Sequence, residues 1–347
     1  MEFLEHIGCF QIFIKNNVVF SPTIRINCCM PFLATLADEL QSSMPYYVCT
    51  HVRPDGDAIG SQIAFTRYLN SLKIEAFCVL THDIPFNLQI LIKDTSCIYL
   101  EDLKDNAGAL IALDCADLTR LPAPFKNLTY FLNIDHHPNN PNFAKHNYVQ
   151  ENFSSTCEIL ITLFREVGWN FDLIAAQALY AGLITDTGNF SHSNVSANTF
   201  ACAEYLLQCT HLQPYEIVQS LFNQRTLPQT RLLSLFLSKI RLHCNEQIAC
   251  IELTQDDYGK TNTQHSDTEG FIAHAMTIQG VKIAAFIEYN ETFVKGSLRS
   301  KSPHLAVNQV ARQFGGFGHI CAAGFQCDLR TFNLNQLIQS LANLIAQ

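Results

Sequence analysis

The sequence predicts an α/β protein of two domains, a larger parallel-sheet domain followed by a smaller mixed-sheet α/β domain, joined by a helical linker. Three observations carry this. Between residues 46 and 134, short apolar runs alternate with polar turns and stretches of helical spacing, the pattern of a parallel sheet built from strand–helix units. Ionisable residues stand directly after those runs, where open parallel sheets gather their functional groups. Beyond about residue 240 a second strand-rich alternation begins, after a stretch that is almost entirely helical in pattern. A chain of 347 residues that is 48% hydrophobic is also too long for one small core and too apolar to be disordered.

In chain order, residues 30–50 (MPFLATLADELQSSMPYYVCT) read as a helix running into a first strand at Tyr46–Thr50. Residues 61–73 carry helical spacing from a Ser61 cap onward. Further strands are expected at Ile74–Leu80, Ala109–Leu113 and Phe131–Ile134. Ser155-Thr156-Cys157-Glu158 has the form of a capping box, so a helix should start there and run to about Val167, before Gly168. Helices should follow over Asp172–Thr185, Ser196–Gln208 and Pro214–Lys239. The last hundred residues read as strands at Ile248–Thr254, Lys282–Tyr289 and Phe293–Leu298, helices near 267–278 and 305–313, and a closing helix from about 333. The division expected is therefore 1–29, an extension of unknown role; 30–208, the first domain; 209–240, the linker; and 241–347, the second domain. Met30 is an alternative start.

Residues 1–29 contain no uninterrupted apolar stretch of about 18 residues, so no membrane span is expected there. The net charge of −9 argues against a long basic groove for nucleic acid and leaves room for a short anionic substrate held by metal ions. The 14 cysteines are scattered, without CxxC pairs, and read as mostly buried thiols of a reducing cytoplasm.

Four clusters carry chemistry. HVRPDGDAIGS (51–61) follows the first strand and offers His51, Asp55 and Asp57, the two carboxylates converging across a Pro54–Gly56 turn. Loop chemistry and helix capping are the plain alternative for this cluster taken alone. Asp114 closes an apolar strand, where an unpaired carboxylate is costly, while Asp117 reads as a cap. Asp135, His136 and His137 end another strand. Asp186 ends an apolar helix, where the dipole favours a cation rather than a carboxylate. This mixed oxygen and nitrogen set suits Mn²⁺ better than a thiolate-seeking metal, and it exceeds the needs of one ion. Two ions about 3.5–4 Å apart would account for it and would support displacement at phosphorus.

The ordered motifs HxxPDxDAxGS, a strand-end Asp, Asp135-His136-His137 and TDTGxF resemble those of the DHH phosphoesterases across about residues 46–190. The resemblance implies two Mn²⁺, one held by His51, Asp55 and Asp114, the other by Asp57, Asp114, His136 and Asp186, with Asp114 bridging. It implies that Asp135 orients a histidine and that His137 contacts the scissile phosphate or protonates the leaving oxygen. KGSLRS (295–300) and GGFGHICAAGF (315–325) resemble the family's associated C-terminal domain. They imply substrate contacts from Arg299, Ser300, Gly315, Gly316, Gly318 and His319, across a cleft between the domains. Phe317 stands where the family usually has glycine, Cys115 where Thr or Ser is common, and Arg53 where Asn is frequent.

Within the family, the length resembles the branch that degrades very short oligoribonucleotides and dephosphorylates 3′-phosphoadenosine 5′-phosphate, through a hydroxide activated by two metals. Its partners would be short RNA or nucleotide bisphosphates, with no membrane, no stable protein partner and a homodimer as one arrangement. The alternatives are a cyclic or linear dinucleotide phosphodiesterase, a RecJ-like single-strand exonuclease, an inorganic pyrophosphatase or exopolyphosphatase, and an inactive nucleotide-binding sensor. The SLRS and GGFGH pair argues against the pyrophosphatase class, and the filled ligand positions argue against the sensor.

Overall fold

The computed structural model describes residues 30–346, apart from 37–38, 41–43, 81–83, 85, 93, 104–107, 123–124 and 126–128. The expected extension, residues 1–29, lies outside the described residues.

The first sheet is six-stranded in the order β3-β2-β1-β4-β5-β6 and parallel throughout. Its strands are β1 (Tyr46–Cys49), β2 (Ala76–Leu80), β3 (Cys97–Tyr99), β4 (Ala109–Leu113), β5 (Tyr130–Asp135) and β6 (His146–Val149). The helices of this half are α1 (Phe32–Thr35), α2 (Gly56–Ser71), α3 (Thr156–Glu166), α4 (Leu173–Asp186), α5 (Ala197–Cys209) and α6 (Pro214–Phe222). Both faces of the sheet are covered, which is why its central strands read as near-continuous apolar runs. Val48, Ile111, Leu132 and Ile134 pack against α2, α3 and α4, while Tyr47, Cys49, Leu110 and Tyr130 pack with Leu121 and Phe125 on the other face. The chain winds outward from β1 to β3 and then returns to build β4 to β6. The crevice at the switch between β1 and β4 is where such sheets bind ligands.

The second half contributes α7 (Leu227–Ser238), β7 (Arg241–His243), β8 (Ile248–Leu253), α8 (Gln255–Thr261), α9 (Phe271–Met276), β9 (Ile283–Tyr289), β10 (Phe293–Ser300), α10 (Val307–Gln313), β11 (Phe317–His319), β12 (Ala322–Asp328) and α11 (Leu334–Ala346). Its strands form a second six-stranded sheet, β11-β12-β10-β9-β8-β7, mixed because only β8 and β9 run parallel. One face packs on α10 and α11 through Leu298, Ala323, Val310 and Leu341. The other packs on α7, α8 and α9 through Phe236, Tyr258, Phe271 and Phe286. No described helix is long and apolar enough to cross a membrane.

Two expectations about helices are corrected. α2 starts at Gly56, not at Ser61, because Asp55 is its N-cap and accepts from the amides of Asp57 and Ala58. The single helix expected over 214–239 is two, α6 and α7. Thr226 and Gln229 form a reciprocal capping box, and Pro228 in the first turn lacks the amide that a continuous helix would need. A smaller difference concerns α3: Ser155 caps it as expected, but Glu158 turns its carboxylate to the Ser154 amide instead of closing the box.

Candidate active site

Each expected ligand leaves its element at the crevice of the first sheet. His51 follows β1, and its Nδ1 lies 3.0 Å from the Val52 carbonyl. Donation there leaves Nε2 as the lone-pair nitrogen, which faces Asp114 Oδ2 at 3.5 Å and Asp55 Oδ2 at 4.0 Å. Asp114 follows β4 with φ +53, a left-handed conformation that a residue with a side chain adopts at a cost and that is common at functional sites. Its other oxygen, Oδ1, lies 3.5 Å from His136 Nε2. That imidazole nitrogen is 3.3 Å from Asp186 Oδ2 and 4.0 Å from Asp57 Oδ2. Three overlapping groups of three result among the described residues, His51 with Asp55 and Asp114, Asp57 with His136 and Asp186, and Asp114 with His136 and His137; Asp114 reaches both sides through its separate oxygens.

The electrostatics are those of a site short of positive charge. Asp57 is 0% exposed, and burial, reinforced by the charges of Asp114 and Asp186, pushes its carboxyl well above the usual range. Burial also opposes ionisation of Asp114, yet the imidazole of His51 and the nearby His137 and His136 hold its carboxyl far below that range. His136 is likewise opposed by burial and carried up to about 10 by Asp186, Asp114 and Asp57. Its Nε2 is buried without a hydrogen-bond partner while aimed among three carboxylates. An orphaned imidazole nitrogen inside a carboxylate cluster is what a divalent cation with oxygen and nitrogen ligands would satisfy, so the residues fit a metal centre.

Asp135 and His137 form a pair at the edge of the cluster, with His137 Nδ1 also 3.5 Å from Asp114 Oδ1. Asp135 is buried and takes His137 Nδ1 at 2.9 Å, on the side of the cluster that meets the second sheet. There the His137 ring stacks on His319 with centroids 5.9 Å apart. Arg299 lies on β10 in the row of Ala322 and His319, its neighbours across the sheet. Ser300 ends β10. Gly315 has φ +76, whereas a side chain at Gly316 or Gly318 would collide with the β12 backbone, 2.2 Å from the Gly324 oxygen and 2.5 Å from Ala323 Cα. These last two glycines thus have a packing reason for being glycine. Asp117 caps a short turn by accepting from the Thr119 amide.

Four residues escaped the sequence reading. Thr156 donates its hydroxyl to Asp114 Oδ1 at 3.1 Å, while the Thr156 and Cys157 amides at the start of α3 hold the Asp57 carboxylate at 2.6 and 2.8 Å. Arg120 is half-buried, and its charge acts on both His51 and His319. Asn140 donates to Asp135 Oδ2 at 2.7 Å and so holds the group that holds His137. Asn140→Ala should leave the fold intact and lower kcat on the order of 10-fold with little change in KM, because it acts through Asp135. A steady-state comparison with wild type checks this; a change confined to KM would exclude the positioning role. Only Asn140 had a signal in the sequence, its place in the LNIDHHPNN run.

A doubly wound sheet with a carboxylate–histidine cluster at its switch point defines a metal-centre hydrolase class rather than a nucleotide-binding scaffold alone. Residues 45–183 match the model of the DHH family, N-terminal domain. The chain is 29% identical over 304 residues to the bifunctional oligoribonuclease and PAP phosphatase NrnA of Thermus thermophilus, covering 87% of this chain and 90% of that one. The protein of the same name from Bacillus subtilis is 29% identical over 287 residues, 79% of this chain and 86% of that one. Among solved structures, an exopolyphosphatase-related protein of Bacteroides fragilis shares the fold with a TM-score of 0.78 at 23% identity, over 87% of this chain and 92% of that one.

Proposed function

We propose that this chain hydrolyses phosphoester bonds of short oligoribonucleotides and of 3′-phosphoadenosine 5′-phosphate in the cytoplasm. The observation that carries the reading is the convergence of His51, Asp55, Asp57, Asp114, His136 and Asp186 on one crevice, with His137 and His319 facing each other beside it. Full-length similarity to proteins named as oligoribonuclease and PAP phosphatase supports the substrate class.

His51, Asp55 and Asp114 would hold one Mn²⁺, and Asp57, Asp114, His136 and Asp186 a second. Bound there, the ions supply positive charge to the phosphoryl oxygens and lower the pKa of water. The chain's own residues do the rest. Residues 30–208 carry the catalytic role and 241–347 the substrate-binding role; of the stretch 209–240 between them, α6 packs on the first core and α7 on the second. Arg299, Ser300, His319 and the backbone around Gly315, Gly316 and Gly318 grip the phosphate end of the substrate. As water oxygen bonds to phosphorus and releases its proton to solvent, the bond from phosphorus to the ester oxygen breaks, and that oxygen takes up a proton. His137 Nε2 is the placed donor, its ring oriented through Nδ1 by Asp135, which Asn140 holds in turn.

Turnover of pApA, 3′-phosphoadenosine 5′-phosphate, cyclic di-AMP and long single-stranded RNA should be compared with Mn²⁺ present and after chelation. The first two are expected to be hydrolysed fastest, with activity lost on chelation and regained with Mn²⁺. A preference for long strands would overturn the substrate assignment, and undiminished activity after chelation would overturn the metal centre.

A further inference from the structure

β11 is the edge of the second sheet, and its register fixes which residues share a face. Phe317 lies opposite Gly324 of β12, which lies opposite Ser297 of β10. His319 lies opposite Ala322, which lies opposite Arg299. Directly opposed residues of antiparallel strands point the same way, as do residues two apart on one strand. Phe317, His319, Ser297 and Arg299 therefore project from one face. The intervening residues, Leu298 and Ala323, point into the core on the other.

That shared face is covered unevenly. Over β8 and β9 it is sealed by α7 and α9, with Ala284 and Phe286 in the core. Ala284 and Phe286 are the partners of Arg299 and Ser297 on β9, so the seal stops where those two begin. Among the described residues, no side chain of β10, β12 or β11 joins that core cluster. The open part has a flat floor, because Gly324 contributes no side chain between Phe317 and Ser297. Phe317 is 79% exposed at its rim, while His319, two residues on, stacks against His137 of the catalytic cluster. A large aromatic ring held on a strand, unpacked by its own protein and about 7 Å along the strand from a residue at the reacting phosphate, is placed to receive a planar apolar group.

We propose that Phe317 is a specificity-determining residue that stacks on the nucleobase of the nucleotide whose phosphate lies between His319 and His137. The inference rests on the reading of the site as a nucleotide phosphoesterase and adds what distinguishes a nucleotide from a bare sugar phosphate. Every base offers a π-face, so Phe317 favours a base over none and discriminates little among bases. Glycine at this position would leave the floor open and the base unsupported. The carboxylate–histidine cluster is on the other sheet and is unaffected by the side chain at 317.

The test uses the full-length chain with Mn²⁺ and four forms, wild type, Phe317→Ala, Phe317→Gly and Phe317→Trp. Turnover of pApA is compared with that of the same dinucleotide lacking the base of one or the other residue, and binding of AMP with that of ribose 5-phosphate. F317A and F317G should lower kcat/KM for pApA on the order of 10-fold, chiefly through KM. They should weaken AMP binding similarly, leave ribose 5-phosphate binding unchanged and leave turnover unchanged on one of the two abasic dinucleotides. F317W should retain wild-type behaviour. Equal losses on intact and both abasic substrates, or no loss on pApA, would overturn the role of Phe317 while leaving the phosphoesterase reading standing. A wild-type chain inactive on every nucleotide would overturn both.

Discussion

Asp114→Asn is expected to lower kcat/KM by on the order of 10⁴-fold while the protein stays folded. Among the described residues, Asp114 alone has two oxygens that face different histidines, Oδ2 toward His51 at 3.5 Å and Oδ1 toward His136 and His137, each at 3.5 Å. An amide keeps the shape and still accepts the Thr156 hydroxyl, but it offers one neutral oxygen where two anionic ones served both halves of the cluster. Several kcal/mol of transition-state charge stabilisation is lost with it, and each 1.4 kcal/mol is about tenfold in rate. Thermal melts separate a lost centre from a lost fold. Wild type should melt roughly 5–10 °C higher with saturating Mn²⁺ than in chelator, because a ligand bound only to the folded state stabilises it by mass action. D114N should melt close to wild type in chelator and gain little from Mn²⁺. Retained Mn²⁺-dependent turnover by D114N would sink the assignment of the centre.

The carboxylate–histidine cluster was legible in the sequence because each contribution is local. A histidine or aspartate directly after an apolar strand is placed by that strand alone, and parallel strands deliver such residues to a common edge. What supports the cluster was illegible because it depends on contacts between distant segments. The amides that hold Asp57 belong to Thr156 and Cys157, about a hundred residues on, and only the packing of α3 against α2 brings them there. Arg120 is unremarkable in sequence and acquires its place beside His51 through the turn that Asp117 caps. Helix capping is a plain alternative for the cluster that holds Asp55, but the sequence places the start of α2 at Ser61, since the first turn of that helix, Gly56-Asp57-Ala58, lacks apolar periodicity. The break between α6 and α7 was missed for the converse reason. The polar run Asn223–Thr226 interrupts the apolar spacing for only one turn, and the Thr226–Gln229 box with Pro228 marks the new start.

Gly60→Val should destabilise the first domain by about 3 kcal/mol or more, with the metal centre failing alongside. A Cβ on Gly60 would lie 2.3 Å from the backbone oxygen of Ala178 and 3.1 Å from Cys157 Sγ. A main-chain oxygen inside α4 cannot step aside as a side chain can, so α2 and α4 must separate. The same crossing is tight from the other side, where a Cβ on Gly182 would meet Cys157 Sγ at 2.3 Å and Asp57 Oδ1 at 2.9 Å. α2 carries Asp57 in its first turn and α4 carries Asp186 at its last residue, so forcing the helices apart moves the two carboxylates that share His136. Gly168→Ala is the control: its φ of +67 makes alanine strained by about 1 kcal/mol, but nothing lies within 4 Å of the new atom. Thermal melts in chelator should rank wild type, G168A and G60V in that order, with G60V lower than wild type by roughly 5–10 °C. Mn²⁺ titration of G60V below its transition should show weakened binding, whereas G168A binds as wild type. If G60V melted with G168A and bound Mn²⁺ normally, the close helix crossing would not be what sets the geometry of the centre.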